Sequence, residues 1–156
     1  MKKRACGLCG VGVRRDVPYP TKREFDGQTF AADVPATKCD TCGEVLISGP
    51  GLVAFDRAVT VRLAHSGKVG PRGFRWLRGA AGLEAKRLAG LLDVTAGTVS
   101  RWENGKQTLD RRAIALVCAL ALQAGGEQPD PLALLEGLAA KKRPPRRVQL
   151  DLRQAG

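Results

Sequence analysis

Two copies of one short motif, Cys6-Gly-Leu-Cys9-Gly10 and Cys39-Asp-Thr-Cys42-Gly43, constrain this chain more than anything else in it. Cysteines three apart on a tight turn aim both sulfurs at one point. A glycine after the second admits positive φ, so backbone N–H groups turn toward the sulfurs. Two such knuckles supply four thiolates in a tetrahedral set, which suits one structural Zn²⁺. With four protein ligands no open coordination position remains for catalysis. A dithiol redox centre and plain buried cysteines are the competing readings. The redox motif usually has a single Cys-x-x-Cys opening a helix, which two glycine-closed copies do not match. The 29 residues between the pairs are long for a finger and right for a ribbon whose hairpin joins two knuckles. Asp26-Gly27 reads as the hairpin turn, and residues 29–38 read as a strand leading into the second knuckle. A segment this small needs its metal to fold.

The remaining sequence divides by composition into an α+β chain of two small domains. Residues 1–48 form the four-cysteine β domain, and 49–70 a connecting helix and linker. Residues 71–140 are dense in helix formers, and 141–156 read as a basic flexible tail. Val148-Gln-Leu-Asp-Leu152 alternates in the tail and could add a strand to a partner or a second subunit. The chain has 156 residues and a net charge of +11, which favours an anionic partner, nucleic acid first. Residues 71–126 hold nine basic side chains against four acidic ones. The start of the sequence has no apolar segment of a secretory signal, and no stretch is long and apolar enough to span a membrane. A cytoplasmic, reducing location without membrane association is therefore expected, and there thiolates hold metal rather than pair. Cys118, in an apolar helical run, reads as a buried core thiol. The lone histidine, His65, reads as a helix-end residue, and no enzymatic activity is expected.

Within the helical block, residues 84–92 and 96–104 read as two short helices across a three-residue break, which forces a steep crossing. Leu88, Ala89, Leu92, Val94, Val99 and Trp102 have the spacing to meet in the angle. Thr95 is placed to cap the second helix, and Gly105 to close it. Gly97, Thr98 and Arg101 then share its outer face, where an arginine can make a bidentate contact to guanine. Thr95, Ala96 and Ser100 are candidates for groove or phosphate contacts. Lys86, Arg87, Lys106, Arg75 and Arg78 are candidates for phosphates. A generic helical hairpin with a solvated basic face is the bland alternative.

Residues 71–122 resemble the Xre/Cro-type helix–turn–helix family through Gly82-Leu83, Leu88-Ala89, Leu92, Val94 and the run from Val99 to Lys106. The resemblance implies a bundle of about five helices, often dimeric, with its third helix in the major groove. Asp93 stands where the family turn usually has glycine, and Ala85 where it usually has glutamine. The whole arrangement, over roughly residues 4–124, is similar to the MqsA/YgiT-type antitoxins. Val17-Pro18-Tyr19 and Cys42-Gly43-Glu44 also match that family. It implies a zinc domain that neutralises a toxin protein, commonly an mRNA-cleaving ribonuclease. It also implies an all-α domain that dimerises on double-stranded DNA and represses its own operon. The family reads DNA with an Asn and an Arg four apart; Arg101 matches the second, whereas Gly97 stands at the first. A stand-alone zinc-ribbon regulator without a toxin partner is the alternative.

Overall fold

The computed structural model describes residues 5–140 and 143–154. Two long antiparallel strands, β1 (Arg14–Phe25) and β2 (Gln28–Cys39), make the expected hairpin. Its two-residue turn has φ of 49° at Asp26 and 87° at Gly27, the doubly positive pattern that matches strand twist. A short strand, β3 (Val45–Ile47), pairs antiparallel with the far end of β2.

Helix α1 (Gly49–Ala64) follows, capped by the Ser48 hydroxyl, which accepts from the Gly51 N–H at 3.2 Å. Its first turn presses on β2. A Cβ at Gly51 would sit 2.9 Å from Pro35 Cδ, so that position has no room for a side chain. Then come α2 (Pro71–Ala80), α3 (Ala85–Leu91), α4 (Ala96–Glu103), α5 (Arg111–Ala124) and α6 (Pro131–Ala139).

Alternate residues of β2, including Phe30, Ala32 and Val34, face inward and meet Phe55, Val59 and Leu63 of α1. The same buried cluster continues into Phe74 and Leu77 of α2, Leu88 of α3, Val99 of α4 and Val117 and Leu122 of α5. The helix read as a connector thus shares its apolar face with both the sheet and the helical bundle. A second tie links them. Asp26, at the hairpin tip, accepts from the Gly73 N–H at 2.8 Å and the Arg72 N–H at 3.2 Å, so it caps α2 from a distance. Gly70, the residue before α2, supplies no cap of its own. A Cβ there would be 2.4 Å from the Asp26 carboxyl carbon.

The tail departs from the sequence expectation. It is not a free appendage: a strand β4 (Arg147–Gln149) pairs parallel with β2 of the same chain, Val148 opposite Phe30. The Leu150 N–H continues the pairing to the Ala31 carbonyl at 2.8 Å, and Val148 and Leu150 are buried. Two apolar side chains and an open length of β2 account for the docking. Lys141 and Lys142 lie outside the described residues. The free edge of β1 carries Pro18 and Pro20. Pro18 faces Pro35. Neither proline of that pair can donate, so the pair is of the non-hydrogen-bonded type. Positions 18 and 20 therefore offer no N–H to an incoming strand.

Candidate metal centre and nucleic-acid interface

The two knuckles converge. One ligand atom from each of Cys6, Cys9, Cys39 and Cys42 lies within 4.8 Å of the others. The Cys6–Cys42 and Cys9–Cys39 sulfurs are 3.8 Å apart in each pair. A tetrahedron with metal–sulfur bonds of about 2.3 Å has edges of about 3.8 Å, so the set fits a tetrahedral metal ion. Both closing glycines take positive φ, 73° at Gly10 and 75° at Gly43. Each donates its N–H back to the first cysteine carbonyl of its knuckle, at 2.9 and 3.1 Å.

Amide donors surround the sulfurs. The Gly12 N–H reaches Cys9 Sγ at 3.3 Å, and the Thr41 and Cys42 N–H groups reach Cys39 Sγ at 3.5 Å. The thiols respond unequally. Cys6 is lowered by the Cys9 and Leu8 amides, Cys9 by those of Val11 and Gly12, and Cys39 by those of Cys42 and Thr41. The Glu44 amide favours the Cys42 thiolate, but the neighbouring Cys39, Cys6 and Cys9 sulfurs with partial desolvation outweigh it and push this thiol up to about 12. Four thiolates at this spacing repel one another; a divalent cation removes that obstacle.

Two residues of this centre were not singled out in the sequence. Gly12 has no room for a side chain: a Cβ would lie 2.3 Å from Cys39 Sγ. Arg14 is nearly buried and pairs with Glu44, while its guanidinium reaches Cys6 Sγ at 3.7 Å. A fixed cation there offsets negative charge on the sulfur set. The third residue after Cys9 being glycine was the only sequence signal for Gly12. Arg14 gave none beyond its charge.

The second site is α3–turn–α4. Leu88, Ala89, Val99 and Trp102 are buried in the angle, with Leu92 and Val94 packed against them. Trp102 meets Phe74 edge-on at 6.0 Å. Asp93 holds the turn at φ 53°, doing what glycine usually does there. The Thr95 hydroxyl accepts from the Thr98 N–H at 3.1 Å and so caps α4. Gly105 closes α4 at φ 67°, and the Lys106 N–H donates to the Arg101 carbonyl at 2.8 Å.

On the outer face Ala96, Gly97, Ser100 and Arg101 are exposed, and Thr98 is half-buried. Arg101 is held between its neighbours: Nη2 donates to Thr98 Oγ1 and Nε to Gln107 Oε1, both at 3.1 Å. Its guanidinium passes Gly97, where an added Cβ would sit 3.4 Å from Nη1. Ser100 is partly engaged, since Asn104 Nδ2 donates to its carbonyl at 2.8 Å and its hydroxyl at 3.3 Å. Lys86, Arg87 and Lys106 are exposed beside this face, on α3 and after α4. Gln107 was missed by the sequence reading; only its polarity beside the recognition helix marked it.

Arg78, expected at a phosphate, is engaged within the fold. It is not a phosphate contact: its Nε donates to Glu103 Oε1 at 2.5 Å, its Nη1 donates to the Leu83 carbonyl, and its side chain is mostly covered. It fastens α2 to the end of α4 instead. Arg75 stays exposed, with Glu103 4.0 Å away.

A family model described as a helix-turn-helix domain matches residues 72–132. Neither the comparison with curated proteins nor that with solved structures gives a match. The chain is thus an α+β molecule with a metal-competent four-cysteine β unit and a helix-turn-helix unit, the equipment of a DNA-binding regulator. Among the described residues no helix is long and apolar enough to cross a membrane.

Proposed function

We propose that this chain is an antitoxin of a type II toxin–antitoxin pair. It binds its own promoter as a homodimer and restrains a toxin protein through its four-cysteine unit. The DNA-binding part rests on one observation above all. Within the matched helix-turn-helix segment, α4 buries Val99 and Trp102 and leaves Arg101 exposed and aligned by Thr98 and Gln107. Arg101 reads a guanine edge, Thr98 contacts a neighbouring base, and Thr95, Ala96, Gly97 and Ser100 line the groove. Lys86, Arg87 and Lys106 hold phosphates. The chain performs no catalysis. One zinc ion, once bound, supplies four bonds that fix both knuckles; Gly12 admits the sulfurs and Arg14 balances their charge.

The paired Cys-x-x-Cys-Gly motifs with their helix-turn-helix partner support the toxin-binding part. The second reading, a stand-alone regulator with an architectural ribbon, is favoured by the Asp26 cap, which makes the hairpin a structural support of α2. Co-expression with neighbouring reading frames, affinity capture and mass spectrometry separates the two. A stoichiometric small partner that arrests growth when expressed alone supports the antitoxin. Sequence-specific DNA binding without any such partner supports the stand-alone regulator. Metal analysis of the purified chain tests for one zinc per chain.

A further inference from the structure

The backbone that carries Arg146 and Arg147 is pinned to the sheet. The Thr29 N–H donates to the Arg146 carbonyl at 2.8 Å, and β4 follows, locked by buried Val148 and Leu150. Arg143, Arg146 and Arg147 are exposed, and among the described residues none of them forms an ion pair. Arg143 and Arg146 line one recess with Lys68, over the hairpin turn at Asp26 and Gly27. The acids nearby are already engaged. Asp26 accepts from the Arg72 and Gly73 amides, and Glu24, in one row across the sheet with Thr29 and Arg147, pairs with Lys22 at 2.8 Å.

The position of this strap matters. Asp26 sits on the N-terminus of α2. Pro71, the first residue of α2, lies against Gly105 at the end of α4; a Cβ on Gly105 would be 3.5 Å from Pro71 Cγ. Contacts thus link the end of α4 through Pro71 and Asp26 to the recess of Lys68, Arg143 and Arg146, with exposed Lys106 and Arg72 beside the first two links. Backbone pairing at Arg146 and Arg147 holds the stems of these arginines on the sheet, and their free guanidinium groups match phosphate oxygens in charge and geometry.

We propose that this docked strap is a second phosphate-binding surface for duplex DNA. It grips the backbone flanking the stretch read by α4 and adds affinity without base discrimination. The inference rests on the DNA-binding reading above. The test uses the full metal-loaded chain and random-sequence duplex DNA of roughly three helical turns, titrated between roughly 50 and 200 mM salt. Arg143→Gln/Arg146→Gln is compared with Arg15→Gln/Arg62→Gln, which removes the same charge elsewhere on the surface. Loss of two phosphate contacts per protomer makes the slope of log affinity against log salt shallower by about 3.6 for the dimer, and affinity at the lowest salt falls roughly tenfold or more. Arg143→Lys/Arg146→Lys restores most of that slope. Thermal melting of the glutamine variant stays at the parent value, because the strap pairs through its backbone. Equal slopes for the strap and control variants overturn the proposal. Failure of the parent chain to bind any duplex overturns the DNA reading itself, a different result.

Discussion

A methyl group at position 12 would lie 2.3 Å from the Cys39 sulfur, whereas one at Gly7 would meet nothing within 4 Å. Gly12→Ala is therefore expected to weaken zinc binding roughly tenfold or more, because it displaces a ligand sulfur, while Gly7→Ala leaves it unchanged. Competition against a chromophoric chelator measures both. Equal affinities in the two variants would remove Gly12 from the centre. Arg101 is the corresponding test for DNA. Arg101→Ala should cost roughly 1–3 kcal/mol per half-site and blunt sequence preference. Lys106→Ala should weaken all sequences alike and flatten the salt slope by about 0.9 per half-site. An Arg101→Ala protein with undiminished operator preference would move the reading face elsewhere. Both sites depend on short-range geometry that a sequence reports unevenly. The four cysteines, the Thr95 cap and the buried pair Val99 and Trp102 were legible because spacing alone dictates them. Gly12 and Arg14 were not, since each acts through a neighbour brought in by the fold.

Helix termini carry much of the element-level specificity. Asp110 caps α5, accepting from the Arg112 and Ala113 amides at 2.7 and 3.4 Å. Its bond to the Arg112 side chain comes first among the causes that lower its pKa to about 2, and those two amides add to it. A carboxyl depressed on folding stabilises the native state above its unfolded pKa of about 3.9, and that contribution is lost as pH falls toward 2. Asp110→Ala should thus destabilise the protein by about 1 kcal/mol at neutral pH. The gap between parent and variant should close between about pH 4 and 2, as read from urea midpoints. A gap independent of pH would mean that the cap does not act through its charge. The cap on α2 was invisible in sequence because it comes from Asp26, 46 residues away from Arg72. Sequence reading recognises a cap as a neighbour, and here the neighbour arrives through the hairpin. The same reason hid the partner of β4: alternation at Val148–Leu152 marked a possible strand, but it pairs within its own chain because β2 leaves an edge open beside Phe30. Arg78 looked available for phosphate for a related reason. Its partner Glu103 is 25 residues away in sequence and adjacent in space.

At the scale of the whole molecule, one apolar cluster runs from Phe30 through Phe55 to Val99 and Leu122. Two units unfolding separately would let a chelator melt the ribbon and leave DNA binding largely intact, the expectation from sequence division alone. The shared cluster and the Asp26 cap predict otherwise. Chelation should lower the melting temperature of the far-ultraviolet helical signal and weaken DNA binding along with it. Unchanged helical melting after zinc removal would show that the bundle is indifferent to the ribbon. The fifth cysteine gives the molecule a further property. Cys118 is fully buried, and burial pushes its thiol up to about 12. In a metal-loaded chain the four knuckle thiols are spent on the ion and the fifth is buried, so an alkylating reagent meets no free accessible thiol among the described residues. Chelation should expose four reactive groups, and only global unfolding the fifth. Timed labelling read by mass would then record, in discrete steps, first the loss of the ion and then the loss of the core, making the chain its own gauge of which failed first.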